Sequence, residues 1–302
     1  MAAGRAAGTG RPGRLTVRTA LVFGASGQIG RALLPRLRQA GWDIVAVSRT
    51  PRREPGTCWV QGAFPSLGAV PGRFDAVFSC GPLDRFGEWY AVHGAGIPRV
   101  VAFGSTSVVA KRDSDDAGER DLAERLARGE GAVFSGAERH GAAATILRPT
   151  LVYGAGADRT LTRIAGLARR WRVFPLPRDA MGLRQPVHVD DLAVAAFAAC
   201  GAPATHGRAY AVPGGETLPY LEMVARVLVA MDPPARLLTL PASVFRAALA
   251  IARLAGVARG FGDAASARLQ EDLVFDAGPA NRDFGYAPRA FAPTAAMFEP
   301  AR

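Results

Sequence analysis

The chain is 302 residues long, 49% hydrophobic and 21% charged, enough apolar content to bury a sizeable core and to exclude wholesale disorder. Its 37 Lys+Arg against 26 Asp+Glu give a net charge of +11, and Lys111 is the only lysine. Such a balance often marks a nucleic-acid binder, but there is no zinc-finger spacing and no RNA-binding aromatic motif. An arginine excess with almost no lysine reads instead as compositional bias, and nucleic acid is not an expected partner.

Met1–Arg18 holds Ala, Gly and Arg with no acid and no apolar stretch, so it lacks the h-region of a secretory signal and reads as a disordered basic tail. Thr19–Phe23 (TALVF) has the character of a buried strand, followed by a glycine-rich turn and a helix that runs to Ala40 and stops at Gly41. Further strands are expected at Asp43–Ser48, Thr57–Gln61, Phe74–Ser79, Pro98–Gly104 and Ala143–Arg148. A helix from about Gly118 to His140 separates the last two, with Glu119, Glu124 and Glu130 offset from Leu122, Leu126 and Val133. Beyond Pro149 the pattern loosens into loops and helices and returns to the sheet around Val187–Val189 and Arg208–Val212.

Near-continuous apolar strands alternating with helices predict an α/β fold, a doubly wound parallel (Rossmann) sheet with a smaller, discontinuous C-terminal substrate domain. The expected boundaries are a tail over 1–18, a dinucleotide-binding domain over 19–150 and 186–213, and a substrate domain over 151–185 and 214–302. The apolar run Ala242–Val257 is interrupted by Arg246 and Arg253 and is shorter than the roughly 20 residues of a membrane span. A buried amphipathic helix is expected there, and no membrane partner. Cys58, Cys80 and Cys200 are widely spaced and odd in number, which predicts no disulfide framework, no metal site and a reducing, cytoplasmic setting.

The glycine turn Gly24-Ala25-Ser26-Gly27-Gln28-Ile29-Gly30 follows a strand and opens a helix, the context that turns a glycine pattern into a dinucleotide fingerprint. Gly24 allows the tight turn, Gly27 the approach of a pyrophosphate and Gly30 close helix–strand packing. Ser26, Gln28 and Ile29 complete the phosphate-facing turn, whose free N–H groups suit an anion. The second strand ends in Ser48-Arg49-Thr50-Pro51-Arg52-Arg53 with no carboxylate before Glu54. A guanidinium at Arg49 suits a ribose 2′-phosphate, so NADP is expected ahead of NAD. Arg163, Arg169, Arg170, Arg172, Arg178 and Arg184 form a cluster that reads either as a solvated helix face or as a site for an anionic ligand.

With GASGQIG at Gly24–Gly30, Ser105-Thr106-Ser107, LRPTLVYG at Leu147–Gly154 and RQPVHVDDLA at Arg184–Ala193, the chain resembles the extended short-chain dehydrogenase/reductases, the NAD(P)-dependent epimerase/dehydratase family. The resemblance implies that Ser79-Cys80-Gly81 lines the cofactor, that Pro149 approaches the nicotinamide, that Ser105 bonds the reacting oxygen and that Arg184 meets substrate phosphate. It also implies a small anionic ligand, a nucleotide-sugar or related phosphorylated keto or hydroxy compound; a homodimer is the assembly to look for. The family's Tyr-x-x-x-Lys pair is absent. No tyrosine has Lys four residues on, and an anchor on Glu130 puts Leu122 and Leu126 at those positions. Tyr153, after the sixth strand, is the candidate replacement acid, beside Lys111 and His188, each of which also reads as structural. The chain is therefore expected to be either an atypical oxidoreductase or a catalytically inactive NADP-binding sensor or scaffold.

Overall fold

Four apolar strands run through the middle of the protein with scarcely a solvent-exposed residue, and their burial explains the architecture around them. In the computed structural model the described residues are 17–158, 160–254 and 268–299. The expected basic tail lies outside them but for its last two residues. Seven parallel strands form the central sheet: β1 (Thr19–Phe23), β2 (Asp43–Ser48), β3 (Cys58–Gln61), β4 (Ala76–Ser79), β5 (Arg99–Phe103), β6 (Ala143–Pro149) and β11 (Arg208–Val212). Their order is β11-β6-β5-β4-β1-β2-β3, reversing direction between β1 and β4. This is the doubly wound order, with its ligand crevice at the reversal.

The alternation of side chains along each strand divides the core. Ala20 and Val22 of β1 face one cluster, shared with Leu33 and Leu37 of α1 (Gln28–Gln39) and with Leu192 and Ala196 of α6 (Val189–Gly201). Leu21 and Phe23 face the other, shared with Phe86 and Tyr90 of α2 (Leu83–His93) and Val133 of α4 (Ala117–His140). Phe23 packs at ring-centroid distances of 5.3, 5.5 and 4.6 Å from Phe64, Phe86 and Trp89. Asp116 caps α4 by accepting from Glu119 N at 3.0 Å, and Gly141, at φ 64°, ends it.

A third apolar cluster gathers α5 (Leu161–Trp171), α7 (Tyr220–Ala230) and the parallel pair β8 (Val173–Pro177) and β13 (Arg236–Leu240), together with Tyr153, Leu269, Phe291 and Phe298. Two expectations need correction. Val187–His188 (β10) does not rejoin the central sheet but pairs with β7 (Val152–Tyr153) in a separate two-stranded piece. The helix α8 (Ala242–Leu254) forms, yet Phe245 is buried while Val244 and Ile251 are 50% and 68% exposed, so it is not a buried helix. The last three residues of that apolar run, 255–257, lie outside the described residues. The helix α9 (Gly278–Phe284) and Tyr286 pack back on the large cluster, through Ala280 and the Tyr286 hydroxyl, which donates to Pro213 O at 2.6 Å.

Candidate active site

The turn after β1 is held open by glycine for a measurable reason. Gly24 has φ +65°, and a Cβ there would stand 2.7 Å from Cys80 C and 2.8 Å from Gly81 N. Only glycine lets β1 and β4 end in contact at the reversal of strand order. A Cβ on Gly30 would meet Gly24 O at 2.3 Å, so the helix lies directly on the turn. Gly27 is the N-cap of α1 and brings no capping side chain, and the first turn of the helix has no acid. The N–H groups there are left for an external anion. Ile29 is buried in the core, so what it can offer an anion is its backbone N–H.

Two buried side-chain atoms beside this turn, Ser79 Oγ and Gln28 Oε1, have no hydrogen-bond partner. Buried polar atoms are ordinarily satisfied, so beside an uncapped helix start these two are free to meet a ligand. Ser26 lends its carbonyl to Arg31 Nε at 3.0 Å, which leaves its hydroxyl outside the helix ladder. The Cys80 thiol is pushed up to about 12 by burial and stays neutral. At the end of β2, Arg49 is exposed, and its carbonyl accepts from Gln61 Nε2 at 3.4 Å. Arg52 is engaged elsewhere, 5.7 Å over the Trp59 ring and 3.9 Å from Glu54 Oε1. A glycine floor, an uncapped helix start, orphaned polar atoms and a terminal arginine together fit a dinucleotide.

The ends of β5 and β6 are clamped to one another. Thr106 donates to Pro149 O through its N–H at 3.1 Å and its hydroxyl at 3.2 Å, and Gly104 N donates to Leu147 O at 2.8 Å. Ser105 therefore stands beside Pro149, with its Oγ accepting from Ser107 N at 3.1 Å. On α4 the residues Glu119, Leu122, Leu126 and Glu130 recur at helical spacing on one side. Both carboxylates bind back to the sheet's carboxyl end: Glu119 to Lys111 Nζ at 3.3 Å, and Glu130 to Arg148 Nε at 2.8 Å. Half-buried Leu122 and Leu126 lie between them.

Tyr153 is deeply enclosed. It is 1% exposed, packed edge-on against His188 and Phe291 at 5.1 and 4.9 Å, and burial pushes its hydroxyl up to about 12. An acid for catalysis needs the opposite shift and an open path. His188 is buried, with Nδ1 accepting from Asp190 N at 3.2 Å, and Gly154 makes room for the ring, since a Cβ there would lie 2.4 Å from Nε2. Lys111 is half-buried on Glu119, its ammonium pKa lowered by burial and then by Arg268.

The arginine cluster does not assemble. Arg170, Arg172 and Arg178 are exposed, and Arg169 donates to Phe298 O at 3.0 Å. Arg184, in β9 (Leu183–Arg184), is 5% exposed; its guanidinium bonds the carbonyls of Leu183 and Glu271 at 2.8 and 2.6 Å and that of Arg268, and lies 5.4 Å over the Tyr220 ring. A cavity of about 310 Å³ near Arg268 is lined by Asp113, Asp115, Asp116, Glu119 and Glu271, a lining that repels an anion. Sequence reasoning missed the Glu130–Arg148 pair; its one sign was a charge at the end of an otherwise apolar strand.

The model of the NAD dependent epimerase/dehydratase family matches residues 20–67 and 89–212. A 2-alkyl-3-oxoalkanoate reductase of Stenotrophomonas maltophilia is 29% identical over 314 residues, covering 89% of this chain and 94% of that protein. MoeE5 in complex with UDP-glucose and NAD superposes with a TM-score of 0.66 at 20% identity, over 90% of this chain and 94% of that one. The UDP-glucuronic acid 4-epimerase from Bacillus cereus in complex with NAD gives 0.67 at 12% identity, over 94% and 95%. At these identities the structural likeness speaks for the fold.

Proposed function

The chain belongs to the NAD dependent epimerase/dehydratase family, and from that premise we propose that it is an NADP-dependent oxidoreductase acting on a keto or hydroxy group. The observation that carries this is the Gly24 turn closed on Cys80-Gly81, with Ser79 Oγ and Gln28 Oε1 left unpartnered beside it. The N–H groups at the start of α1 and the Ser26 hydroxyl hold the pyrophosphate, which Gly27 lets approach; Arg49 takes the 2′-phosphate; Pro149 and the Cys80-Gly81 backbone flank the nicotinamide end. When bound, the dinucleotide supplies or accepts the hydride. Ser105 Oγ holds the reacting oxygen in position. Leu122 and Leu126 make the α4 wall apolar, so the proton comes from a group other than a helix tyrosine.

The substrate class is a nucleotide-sugar or related phosphorylated compound, in keeping with the UDP-sugars named for MoeE5. In this reading Arg184 offers phosphate the Nε and Nη2 hydrogens left over from its three carbonyl bonds. A β-keto acid is the competing class, favoured by the relative named as a 2-alkyl-3-oxoalkanoate reductase. Apolar Leu122 and Leu126 and the buried Tyr153 favour a further reading, a cofactor-binding protein without turnover.

Calorimetry with NADPH and NADH comes first. We expect NADPH to bind more tightly, and Arg49→Ser to weaken NADPH by about tenfold or more while leaving NADH unchanged, since one charge-assisted pair is lost. Equal loss for both cofactors refutes the role of Arg49. Turnover is then measured with UDP-sugars and with 3-oxoalkanoates; tight NADPH binding with no turnover of either class supports the sensor reading over the enzyme.

A further inference from the structure

Residues two apart along a strand share a face, so Arg148 leaves β6 on the same side as Ile146, towards α2 and α4. It meets Glu130, which is 6% exposed, and both carboxylate oxygens take the guanidinium: Nε donates to Oε1 at 2.8 Å and Nη2 to Oε2. This forked pair fixes the plane of the guanidinium but occupies only one edge of it. The Nη1 hydrogens have no acceptor among the described residues, and 26% of the side chain is open. Arg99, on the neighbouring strand, shows the contrast: it is 7% exposed, with Nε, Nη1 and Nη2 all on acceptors.

An arginine with one edge locked and the other bare stands one residue before Pro149, at the carboxyl end of a parallel sheet, where ligands of this fold class lie. The α4 position one turn before Glu130 is Leu126, which offers no donor. The bare edge presents parallel N–H groups at the spacing of two adjacent oxygens, a match for a vicinal diol.

We propose that the free edge of Arg148 binds the hydroxyls of the nicotinamide-side ribose, with Glu130 as the positioning residue that holds it in plane. This rests on the dinucleotide reading above. The pair is removed together, Arg148→Met with Glu130→Leu, so that no buried charge is left unpaired. Dissociation constants are measured by calorimetry for two probes: NADPH, and adenosine 2′,5′-bisphosphate, which lacks the nicotinamide half. The expected result is a loss of about tenfold or more for NADPH, with the bisphosphate unchanged. Should the double variant fail to fold, Arg148→Lys keeps a charge on Glu130 but loses the fork, and the same split between probes is expected. Unchanged NADPH binding, or equal loss for both probes, overturns the proposal. If the wild-type protein binds neither probe, the dinucleotide reading itself falls and this inference falls with it; if it binds both and the variant matches it, this inference alone fails.

Discussion

Nδ1 of His188 accepts a hydrogen bond from the backbone of Asp190, and a Cβ on Gly154 would lie 2.4 Å from its Nε2. A proton added at Nδ1 would displace that hydrogen bond, and the ring's pKa is lowered, first by burial and then by Arg289, against the opposing pull of Asp190 and Asp191. The sign of the effect on stability follows. Below the unfolded value of about 6.5 the unfolded chain takes up a proton that the native ring refuses. The stability is therefore present above that value and drains away as pH falls towards the lowered native pKa. Denaturant unfolding between about pH 5 and pH 7.5 should show stability falling on the acid side, and His188→Gln should flatten that slope. An identical slope in both proteins would exclude His188 as its source. Tyr153 belongs to the same environment, and its hydroxyl moves up for the same reason; the residue type promised chemistry, and the surroundings made it packing.

At the scale of elements, Arg99 fastens the carboxyl end of α6 to the sheet. It donates to Ala199 O and Cys200 O at 2.6 and 3.1 Å, to Ala143 O at 2.9 Å, and to the Thr145 and Thr205 hydroxyls at 2.7 and 2.6 Å. The carbonyls at a helix end carry partial negative charge, so a buried cation can be stabilised there without a carboxylate. Arg99→Leu should cost about 3 kcal/mol by leaving several buried acceptors unpaired. Urea unfolding measures it; a loss below about 1 kcal/mol would mean that water replaces the guanidinium. The strands β1, β2 and β6 are legible in the sequence because their apolar runs are continuous, and α4 because its glutamates are offset from its leucines. The helix α2 is not legible there, although its residues Leu83, Phe86, Trp89 and Tyr90 are all buried; the spacing fits a helix, but the run is short. For α8 the same kind of periodicity was present, yet its apolar stripe remains largely uncovered by the described residues.

Across the whole molecule, residues 268–275 run along the 182–185 segment and carry Leu269 into the cluster of α5 and α7. Gly182 N donates to Leu269 O and Leu273 N to Leu183 O, both at 2.9 Å, and Phe275 N donates to Gln185 Oε1 at 2.8 Å. From this segment the Arg268 side chain reaches Glu119 at the start of α4, where Lys111 and Ser114 also bind. One carboxylate thus serves two cations from different parts of the fold. Glu119→Gln should lower stability by about 1 kcal/mol, because the groups are partly exposed. Hydrogen exchange should quicken in 268–275 and leave β1 and β4–β6 as protected as before; uniform quickening would show that the tie is not local. Sequence alone determined the parallel doubly wound sheet and the glycine turn, since strand periodicity, helix stops and the backbone freedom of Gly24 are local properties. The tertiary structure decided which polar groups remain available. Arg184 commits three of its hydrogens to the carbonyls of Leu183, Glu271 and Arg268 and keeps two, Tyr153 is enclosed by Phe291, and Arg148 keeps a bare edge because Glu130 satisfies the other. A buried donor is spent or spared according to the acceptors that folding brings to it, and most of these come from distant parts of the chain.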